Sequence, residues 1–477
     1  KQAGKYKAVA SGAITNGKPV IVHTDGTVKE ISATASAAAL GSEATFESAS
    51  SLYNAVAFDS SNNKVVIAYS DGGANTGNAV VATVDSSDNS ITFGTPVVFN
   101  NAATSYIDIV FDSNSNKVVI VYTDDGNSAY GTAIVGTVSG TSISFGSEAV
   151  FESASTNTVT ATFDSNSNKV VVCYKDNGNS FYGTSIVGTV SSTSISFGSA
   201  VVFESANSPH ISPTFDSNSN KVVIAYSDAG DSTKGKAIVG TVSGTSISYG
   251  TAAEFESGNT VKNSAVFDSN SNKVVISYCD TGDSNKGKAI VGTVSSTSIS
   301  FGTAVEFNAG ETDDYISSTF DSNSNTVITV YNDRSNSDYG TVNIGTVSGT
   351  SISYGGETVF NAGETNFIGA GFDTNVNRAV IAYQDAGNSS YGTAIVYKGA
   401  STNLTSENYI GIASGGTYAD TAEATIDVVG TVNKDQSGLT AGQTYYVQTD
   451  GTLGTSADSP SVVAGTAISA TEIIVKG

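Results

Sequence analysis

The chain has 477 residues, more than one ordinary hydrophobic core, and this length corresponds on average to about three domains. It carries 44 acidic against 21 basic residues, and a surface with a net charge of -23 repels phosphate backbones, which argues against nucleic-acid binding. No apolar run reaches the ~18 residues of a membrane-spanning helix, so we expect no membrane insertion. Short runs of Val, Ile, Tyr and Phe between Gly, Ser, Thr and Asn indicate a β-rich chain with many tight turns.

The first predicted element is a β-hairpin near the N-terminus. Residues 11–28 read Ser-Gly-Ala-Ile-Thr-Asn-Gly-Lys-Pro-Val-Ile-Val-His-Thr-Asp-Gly-Thr-Val. An Asp-Gly pair between apolar strand residues, here Asp25 and Gly26, is a strong hairpin signal.

A repeat of 52–53 residues then runs seven times through the centre of the chain. Its core phrase reads Phe-Asp-Ser-Asn-Ser-Asn-Lys-Val-Val-Ile and is followed by a tyrosine. Self-similarity at a fixed period of this length indicates a propeller or a solenoid. The phenylalanine that opens the phrase stands at Phe58, Phe111, Phe163, Phe215, Phe267, Phe320 and Phe372.

Each unit contains four predicted strands, which in the second unit cover residues 106–111, 117–122, 132–138 and 142–151. The second strand is apolar without a break, as expected for a strand buried on both faces. Asp112 to Asn116 predict a turn capped by Asx side chains, and Gly146 predicts a bulge in the fourth strand. Cys173 and Cys279 stand on opposite sides of the strand tyrosine in their units, so we expect no disulfide between them.

A second signature shows that the units close into a ring. Glycine, four further residues and then phenylalanine mark the fourth strand, and this pattern ends at Phe46, Phe99, Phe151, Phe203, Phe255, Phe307 and Phe360. The first copy precedes the first unit, whereas the last unit has none of its own. We therefore expect residues 41–47 to complete the blade that begins near residue 366, which leaves no open sheet edge. Four antiparallel strands per unit favour a seven-bladed β-propeller over a solenoid.

The C-terminal flank repeats the N-terminal hairpin. Residues 437–453 read Ser-Gly-Leu-Thr-Ala-Gly-Gln-Thr-Tyr-Tyr-Val-Gln-Thr-Asp-Gly-Thr-Leu, and Gly442 precedes Asp450 by the same eight positions that separate Gly17 from Asp25. A closed propeller brings its chain ends together. The prediction is therefore an all-β chain in which residues 37–400 form the propeller, and residues 1–36 and 401–477 pack together as one small β domain.

The flank also resembles a known module. The stretches Tyr409-Ile-Gly-Ile-Ala-Ser-Gly, then 437–453, then Ser461-Val-Val-Ala-Gly-Thr-Ala-Ile-Ser-Ala-Thr-Glu are similar to a module of structural proteins of tailed bacteriophages, including tail-fibre-like and other virion-surface proteins. The likeness covers roughly the last 75 residues and, more faintly, the first 30. It implies a virion or extracellular location, with other virion proteins as partners of the flank domain, and it brings no catalytic residues.

The residue types present bear on whether the chain is an enzyme or binds a metal ion. Sialidase-type propellers need an arginine cluster, and the chain has only Arg334 and Arg378; its two histidines are too few for an obvious triad or zinc site. We therefore expect no enzyme and no cofactor. Asp112, Asn114 and Asn116 have the spacing of calcium ligands, but an Asx turn explains the same letters.

Ligand-contacting residues are predicted where the units differ from one another. The loops between the second and third strands vary, as do the segments that join one unit to the next, and up-and-down connectivity places both on one face. Tyrosine, phenylalanine and histidine above short polar loops suit sugar or protein contact. The candidate ligand-binding residues are Tyr106, Tyr130, Tyr182, His210, Tyr315, Tyr339, Phe367 and Tyr391.

These observations predict a non-enzymatic virion surface protein, a fibre or receptor-binding component that presents a propeller face to a host-surface glycan or protein. A head or tail decoration protein is the first alternative. A secreted bacterial adhesin or a glycan-acting enzyme is the second. Homo-oligomerisation is open.

Overall fold

The computed structural model describes residues 4–23, 25–32, 37–312, 315–400, 402–457 and 461–476. The chain divides into two compact units, Leu40–Lys398 and Lys1–Ala39 with Gly399–Gly477. The first unit is the seven-bladed propeller and the second is the flank domain. Their boundaries fall within three residues of those expected from the sequence.

Each blade is built around two long central strands, numbered here in chain order. The second strands are buried almost throughout, and they are β6 Lys64–Asp71, β11 Lys117–Asp124, β15 Lys169–Asp176, β20 Lys221–Asp228, β24 Lys273–Asp280, β29 Thr326–Asp333 and β33 Arg378–Asp385. The third strands are β7 Thr76–Asp85, β12 Tyr130–Ser139, β16 Tyr182–Ser191, β21 Lys234–Ser243, β25 Lys286–Ser295, β30 Tyr339–Ser348 and β34 Tyr391–Lys398. Single-turn 3-10 helices join these strands at Asp125–Asn127, Asn177–Asn179, Ala229–Asp231, Thr281–Asp283, Arg334–Asn336 and Ala386–Asn388.

The strand at the outer edge of one blade continues as the innermost strand of the next blade. It is continuous in β5 Ala44–Asp59, β14 Ala149–Asp164, β23 Ala253–Asp268 and β32 Thr358–Asp373. It is interrupted in β9 Val97–Asn100 with β10 Thr104–Asp112, β18 Val201–Asn207 with β19 Ser212–Asp216, and β27 Val305–Glu311 with β28 Ile316–Asp321. Short strands complete the outer edges: β4 Ala39–Leu40, β8 Ser90–Phe93, β13 Ser142–Phe145, β17 Ser194–Phe197, β22 Ser246–Tyr249, β26 Ser298–Phe301 and β31 Ser351–Tyr354.

The predicted ring closure is confirmed. The start of β5 pairs with β34, with Ala44 opposite Ala394 and Thr45 opposite Thr393. The N–H of Gly41 donates to the carbonyl of Val396 at 2.8 Å. The N-terminal strand therefore completes the last blade and leaves it without a free outer edge.

A tyrosine in each second strand anchors the contact between neighbouring blades. Its ring packs against the phenylalanine that ends the fourth strand of the preceding blade, with ring centroids 5.0–5.3 Å apart. Each hydroxyl donates to a glutamate carboxylate at 2.9–3.2 Å, so the buried ring leaves no unsatisfied polar group. These tyrosines are fully buried and are Tyr69, Tyr122, Tyr174, Tyr226, Tyr278, Tyr331 and Tyr383.

The glutamate that accepts this bond comes from one of two places. Where the fourth-strand phenylalanine is followed by glutamate, that residue accepts; the acceptors of this kind are Glu47, Glu152, Glu204 and Glu256. Where asparagine follows, the acceptor is a glutamate three positions before the next fourth-strand phenylalanine, at Glu43, Glu148 and Glu357. Each tyrosine hydroxyl therefore keeps a glutamate acceptor, because the second glutamate is present wherever asparagine stands in place of the first.

The blade contains the turn and the bulge that the sequence predicts. The Asp112 carboxylate accepts the N–H groups of Asn114 and Ser115 at 2.9 and 3.0 Å, which is the expected Asx turn. The bulge predicted at Gly146 is confirmed: three residues, 146–148, lie opposite the two residues 134–135, and the N–H of Gly146 donates to the carbonyl of Val135 at 3.0 Å. A Cβ on Gly146 would lie 1.8 Å from the carbonyl oxygen of Thr193 in the next blade, so close approach of two backbones requires the glycine.

The flank domain contains two five-stranded antiparallel sheets. The first has the spatial order β1 Lys5–Val9, β36 Glu423–Asp427, β35 Tyr409–Ala413, β2 Pro19–Val22 and β3 Val28–Glu30. The second has the order β37 Val432–Asn433, β41 Ile473–Val475, β40 Val462–Ala467, β38 Thr444–Val447 and β39 Leu453–Gly454. The first sheet thus joins strands from both ends of the chain.

The two sheets are copies of one module. Numbered along the chain, both have the strand order 1-5-4-2-3. Val20 pairs with Gly411 in the first sheet and Tyr445 with Gly465 in the second, and in both the register shifts at the next residue. The propeller is inserted between the third and fourth strands of the first module, where the second module has only residues 455–461.

Both cysteines are buried and neither forms a disulfide, as the sequence predicted.

Candidate functional site

The innermost strands of the seven blades surround a central channel with a cavity of about 330 Å³. The residue three positions before each repeat phenylalanine lines it. These residues are small or polar, and they are Ala55, Asp108, Thr160, Ser212, Ser264, Ser317 and Gly369.

Side chains in the channel wall link one blade to the next. The hydroxyl of Ser264 accepts the N–H of Ser318 at 2.9 Å, and Ser212 accepts from Ala265 at 2.9 Å in the same way. This ring of bonds uses the polar atoms of the wall and stabilises its spacing.

Asp108 is the one carboxylate among the channel-lining residues that the structure describes. It accepts the N–H of Ala161 at 2.8 Å, the hydroxyl of Thr160 at 2.7 Å and the N–H of Ile109 at 2.8 Å. Burial raises the pKa of this carboxyl, while the three donors oppose that rise. The residue of the next blade that would donate to Thr160 in this pattern is Pro213, which has no N–H, so the described bond of the Thr160 hydroxyl is the one it donates to Asp108.

At one end of the channel stands a ring of side chains that we call the collar. Each lies five positions before a repeat phenylalanine, and the collar consists of Tyr53, Tyr106, Thr158, His210, Lys262, Tyr315 and Phe367. From each of these residues the chain continues into the channel wall in the same direction, so all seven side chains lie at the same mouth of the channel.

The collar backbone is strained. Tyr53, Tyr106, Thr158, His210, Lys262 and Phe367 have φ between 46° and 57°, the left-handed region that bulky and β-branched residues rarely adopt. The conformation accompanies β-bulges, such as the register shift between Leu52 and Ala55. Asn54 supports one bulge by donating to the carbonyl of Phe367 at 2.9 Å. Strain of this kind costs about 1–3 kcal/mol per residue and is typical of functional sites.

Four aromatic side chains form a continuous arc in the collar. The ring centroids of Tyr53 and Tyr106 are 5.3 Å apart, those of Tyr53 and Phe367 5.2 Å, and those of Tyr315 and Phe367 4.9 Å. Tyr106 is 37 % exposed, and the other three are half-buried. The arc therefore offers aromatic surface that is held in place and open to contact.

Basic side chains lie in and beside the other part of the collar. The Lys262 ammonium lies 5.1 Å from the centre of the Tyr315 ring, and Lys175, from β15, lies 5.5 Å from the centre of the exposed Phe181 ring. Burial, together with the charges of Lys262 and Lys175, lowers the pKa of His210 to about 4. His210 is thus a neutral imidazole near pH 7.

The two variable loop sets lie on the same face as the collar, as predicted. The N–H of Gly126, in a loop between second and third strands, donates to the carbonyl of Ala103 in a blade-joining segment at 3.2 Å. Thr156 donates in the same way to Ala129 at 2.8 Å.

The structure separates the eight predicted ligand-binding residues into two groups. Tyr106, His210, Tyr315 and Phe367 belong to the collar. The other four start third strands of separate blades, where they are half-buried, and they are Tyr130, Tyr182, Tyr339 and Tyr391. Among the residues described, these four make no ring contact with the collar or with one another.

Sequence reasoning missed Tyr53, Thr158 and Lys262 of the collar, together with Lys175 and Phe181. The constant five-residue distance from the repeat phenylalanine would have revealed the first three. Lys175 could have been found because the equivalent residues of the six other blades are all uncharged.

Arg378, one of the two arginines of the chain, has structural partners. Arg378 donates to the side chain of Asn89 and to the carbonyls of Val376, Asn377 and Ser86, so it supports loops. Within the described ranges, no group of three or more His, Cys, Asp or Glu side chains could hold a metal ion. No helix there is long and apolar enough to span a membrane.

Comparison with solved structures identifies similar folds. The lectin BP39L of Burkholderia pseudomallei superimposes with a TM-score of 0.54 at 8% identity, over 75% of this chain and 100% of the lectin. The NanB sialidase of Streptococcus pneumoniae gives 0.46 at 12% identity, over 75% and 70% of the two chains. A protein of unknown function from Dyadobacter fermentans gives 0.45 at 10% identity, over 76% and 99%. No family model and no curated protein matches the chain. At these identities the likeness to the lectin establishes the fold alone, and the two lower scores carry no argument.

Proposed function

We propose that this chain is a non-enzymatic surface protein whose propeller binds a saccharide at the collar. The observation that carries the proposal is the arc of Tyr106, Tyr53, Phe367 and Tyr315, held by strained backbone at the mouth of a polar channel. Aromatic faces pack against the C–H faces of sugar rings and lose little side-chain entropy in doing so. A lectin with the same fold supports this reading.

The proposal includes a place for the protein. The flank domain attaches the propeller to the particle of a tailed bacteriophage, as part of a fibre or receptor-binding component, and the collar faces the host surface. The sequence likeness of residues 409–477 to virion modules supports this assignment. Mass spectrometry of purified particles and immunogold labelling test it; a protein secreted by an uninfected bacterium would contradict it.

Saccharide binding is tested with the full chain on a glycan array, followed by calorimetric titration of the best ligand. Tyr53→Ala and Phe367→Ala should each weaken binding by about tenfold, since stacking on an aromatic ring contributes on the order of 1–1.5 kcal/mol. Tyr339→Ala and Tyr391→Ala are matched controls on the same face and should leave affinity unchanged. The absence of any saccharide ligand, or equal losses in both pairs, would refute the collar as the site and favour a decoration role. Turnover of a bound saccharide would refute the non-enzymatic assignment.

A further inference from the structure

Two lysines lie at the channel mouth of a strongly acidic protein. The chain has a net charge of -23, yet Lys175 and Lys262 lie on one side of the channel mouth and both act on His210. Among the residues described, which exclude Asp313 and Asp314, no carboxylate forms an ion pair with Lys175 or Lys262.

The lysines at the start of the third strands form ion pairs with carboxylates. Lys236 lies 2.7 Å from Asp228 and 3.0 Å from Asp231, and Lys288 lies 2.8 Å from both Asp280 and Asp283. These third-strand lysines are neutralised within their own blades. The second-strand lysines Lys117 and Lys221 also have no described ion pair. Lys175 and Lys262 differ from both groups because each lies over an aromatic ring at the channel mouth.

Aromatic rings hold the ammonium groups of Lys175 and Lys262 in position. Lys262 lies over Tyr315, the end of the aromatic arc, and Lys175 lies over Phe181. A cation over an aromatic face keeps its charge while its side chain loses freedom. Burial lowers the pKa of Lys175, and an anion beside it would offset that effect. His210 between them is neutral near pH 7 and can accept or donate a hydrogen bond.

We propose that the collar binds an acidic saccharide, a sugar that carries a carboxylate, sulfate or phosphate group. The sugar ring packs on the aromatic arc, and its anionic group lies between Lys175 and Lys262 beside His210. This inference rests on the proposed saccharide binding and adds the charge of the ligand. The acidic remainder of the surface repels polyanions that do not engage these two lysines.

The test uses the full chain with three soluble oligosaccharides of similar length: alginate (carboxylate), sulfated dextran and neutral dextran. Binding is measured by calorimetry in low salt and again in 200 mM salt. We expect the acidic oligosaccharides to bind more tightly than neutral dextran. Lys175→Gln combined with Lys262→Gln should weaken acidic binding by about a hundredfold, at roughly tenfold for each charged contact.

The matched control is Lys117→Gln combined with Lys221→Gln. These lysines start second strands, at the opposite end of the blades from the collar, and the double substitution changes the net charge by the same amount. It should leave affinity for acidic oligosaccharides within about twofold, because charges on the far face lie well beyond the ~8 Å screening length at physiological salt. A thermal melt of each variant confirms that it folds.

The outcomes separate the two proposals. Equal affinity for neutral and acidic ligands, lost on Tyr53→Ala but kept in the collar lysine variant, would overturn the acidic ligand while saccharide binding stands. A loss that is equal in the two lysine variants would also overturn it, since a general field would then explain the preference. Absence of binding to all three ligands, together with an empty glycan array, would overturn both. Preference for alginate over sulfated dextran, or the reverse, identifies the anionic group.

Discussion

The tyrosine anchors between blades provide a direct test of how the repeat stabilises itself. Tyr122 is fully buried, and its hydroxyl donates to the Glu148 carboxylate at 3.0 Å because the residue after Phe99 is asparagine. We expect Glu148→Ala to remove this acceptor without changing the packing of the ring.

The magnitude follows from the burial of the donor. A buried hydroxyl that loses its only acceptor costs about 1–3 kcal/mol. Glu148 itself is exposed, so water can partly replace its carboxylate as the acceptor. We therefore expect the free energy of unfolding to fall by about 1.5 kcal/mol. In a unit this large, that corresponds to a fall of the melting temperature by roughly 3 °C or less, so urea titration is the more sensitive assay.

The rescue is already present in other blades. Where Glu152, Glu204 or Glu256 accepts the tyrosine hydroxyl, the position equivalent to Glu148 is alanine, at Ala200, Ala252 and Ala304. Asn100→Glu in the Glu148→Ala background reproduces that arrangement and should restore most of the lost stability. Asn100→Glu alone is the control, since it measures the cost of losing the bonds that the Asn100 amide donates to Thr104 and Asp124 while Glu148 still accepts from Tyr122. The reasoning is refuted if Glu148→Ala loses no stability, or if the double variant is no more stable than the single one.

Three further outcomes are expected. His210→Asn should abolish one pH-dependent component of the free energy of unfolding. The pKa of His210 in the folded protein, about 4, lies below its ordinary value of 6.5, so the unfolded state binds the proton first as the pH falls. The free energy of unfolding of the wild type therefore decreases as the pH drops from 6.5 to 4. A difference between urea titrations of the two proteins that does not change with pH would contradict this. Gly146→Ala should lower the free energy of unfolding by about 2–3 kcal/mol, because the new methyl group clashes with the carbonyl of Thr193. Gly140→Ala has open space around it and should lower it by about 1 kcal/mol. Equal losses for the two variants in urea denaturation would contradict the close approach at Gly146. Replacing residues 40–398 by the sequence of residues 455–461 should leave a folded flank domain with dispersed amide resonances, and a collapsed spectrum would show that the first module depends on its insert.

Much of the propeller could be predicted from the sequence because its determinants are local and repeated. The phenylalanine signatures gave the blade count, and the offset between Phe46 and Phe58 predicted which strand closes the ring. A further signal went unused: Glu43 is present because Asn361 follows Phe360, so the N-terminal strand already carries the acceptor for Tyr383. This pairing predicts the same closure from hydrogen bonding alone.

The collar could be predicted only in part. Left-handed backbone is usually marked by glycine or asparagine, but here tyrosine, threonine and phenylalanine adopt it, so Tyr53 and Thr158 gave no local signal. Tyr130 and Tyr391 were chosen by residue type within a variable loop, and their separation from the collar depends on where each third strand begins. The duplication of the flank module was visible in its hairpins, whereas the strand order needed the structure because β35 and β36 are weakly patterned.

The insertion of the propeller into one of two equivalent modules has a consequence for how such proteins diversify. Strands β4 and β34, where the chain enters and leaves the propeller, are hydrogen-bonded neighbours. The host sheet therefore receives a 359-residue passenger through two adjacent chain ends, much as it would receive a short hairpin loop. Any domain whose ends lie equally close fits the same position, and two recombination points suffice to exchange the inserted domain while the flank domain is kept. The uninterrupted second module offers an equivalent position, so one copy can change its cargo while the other holds the fold.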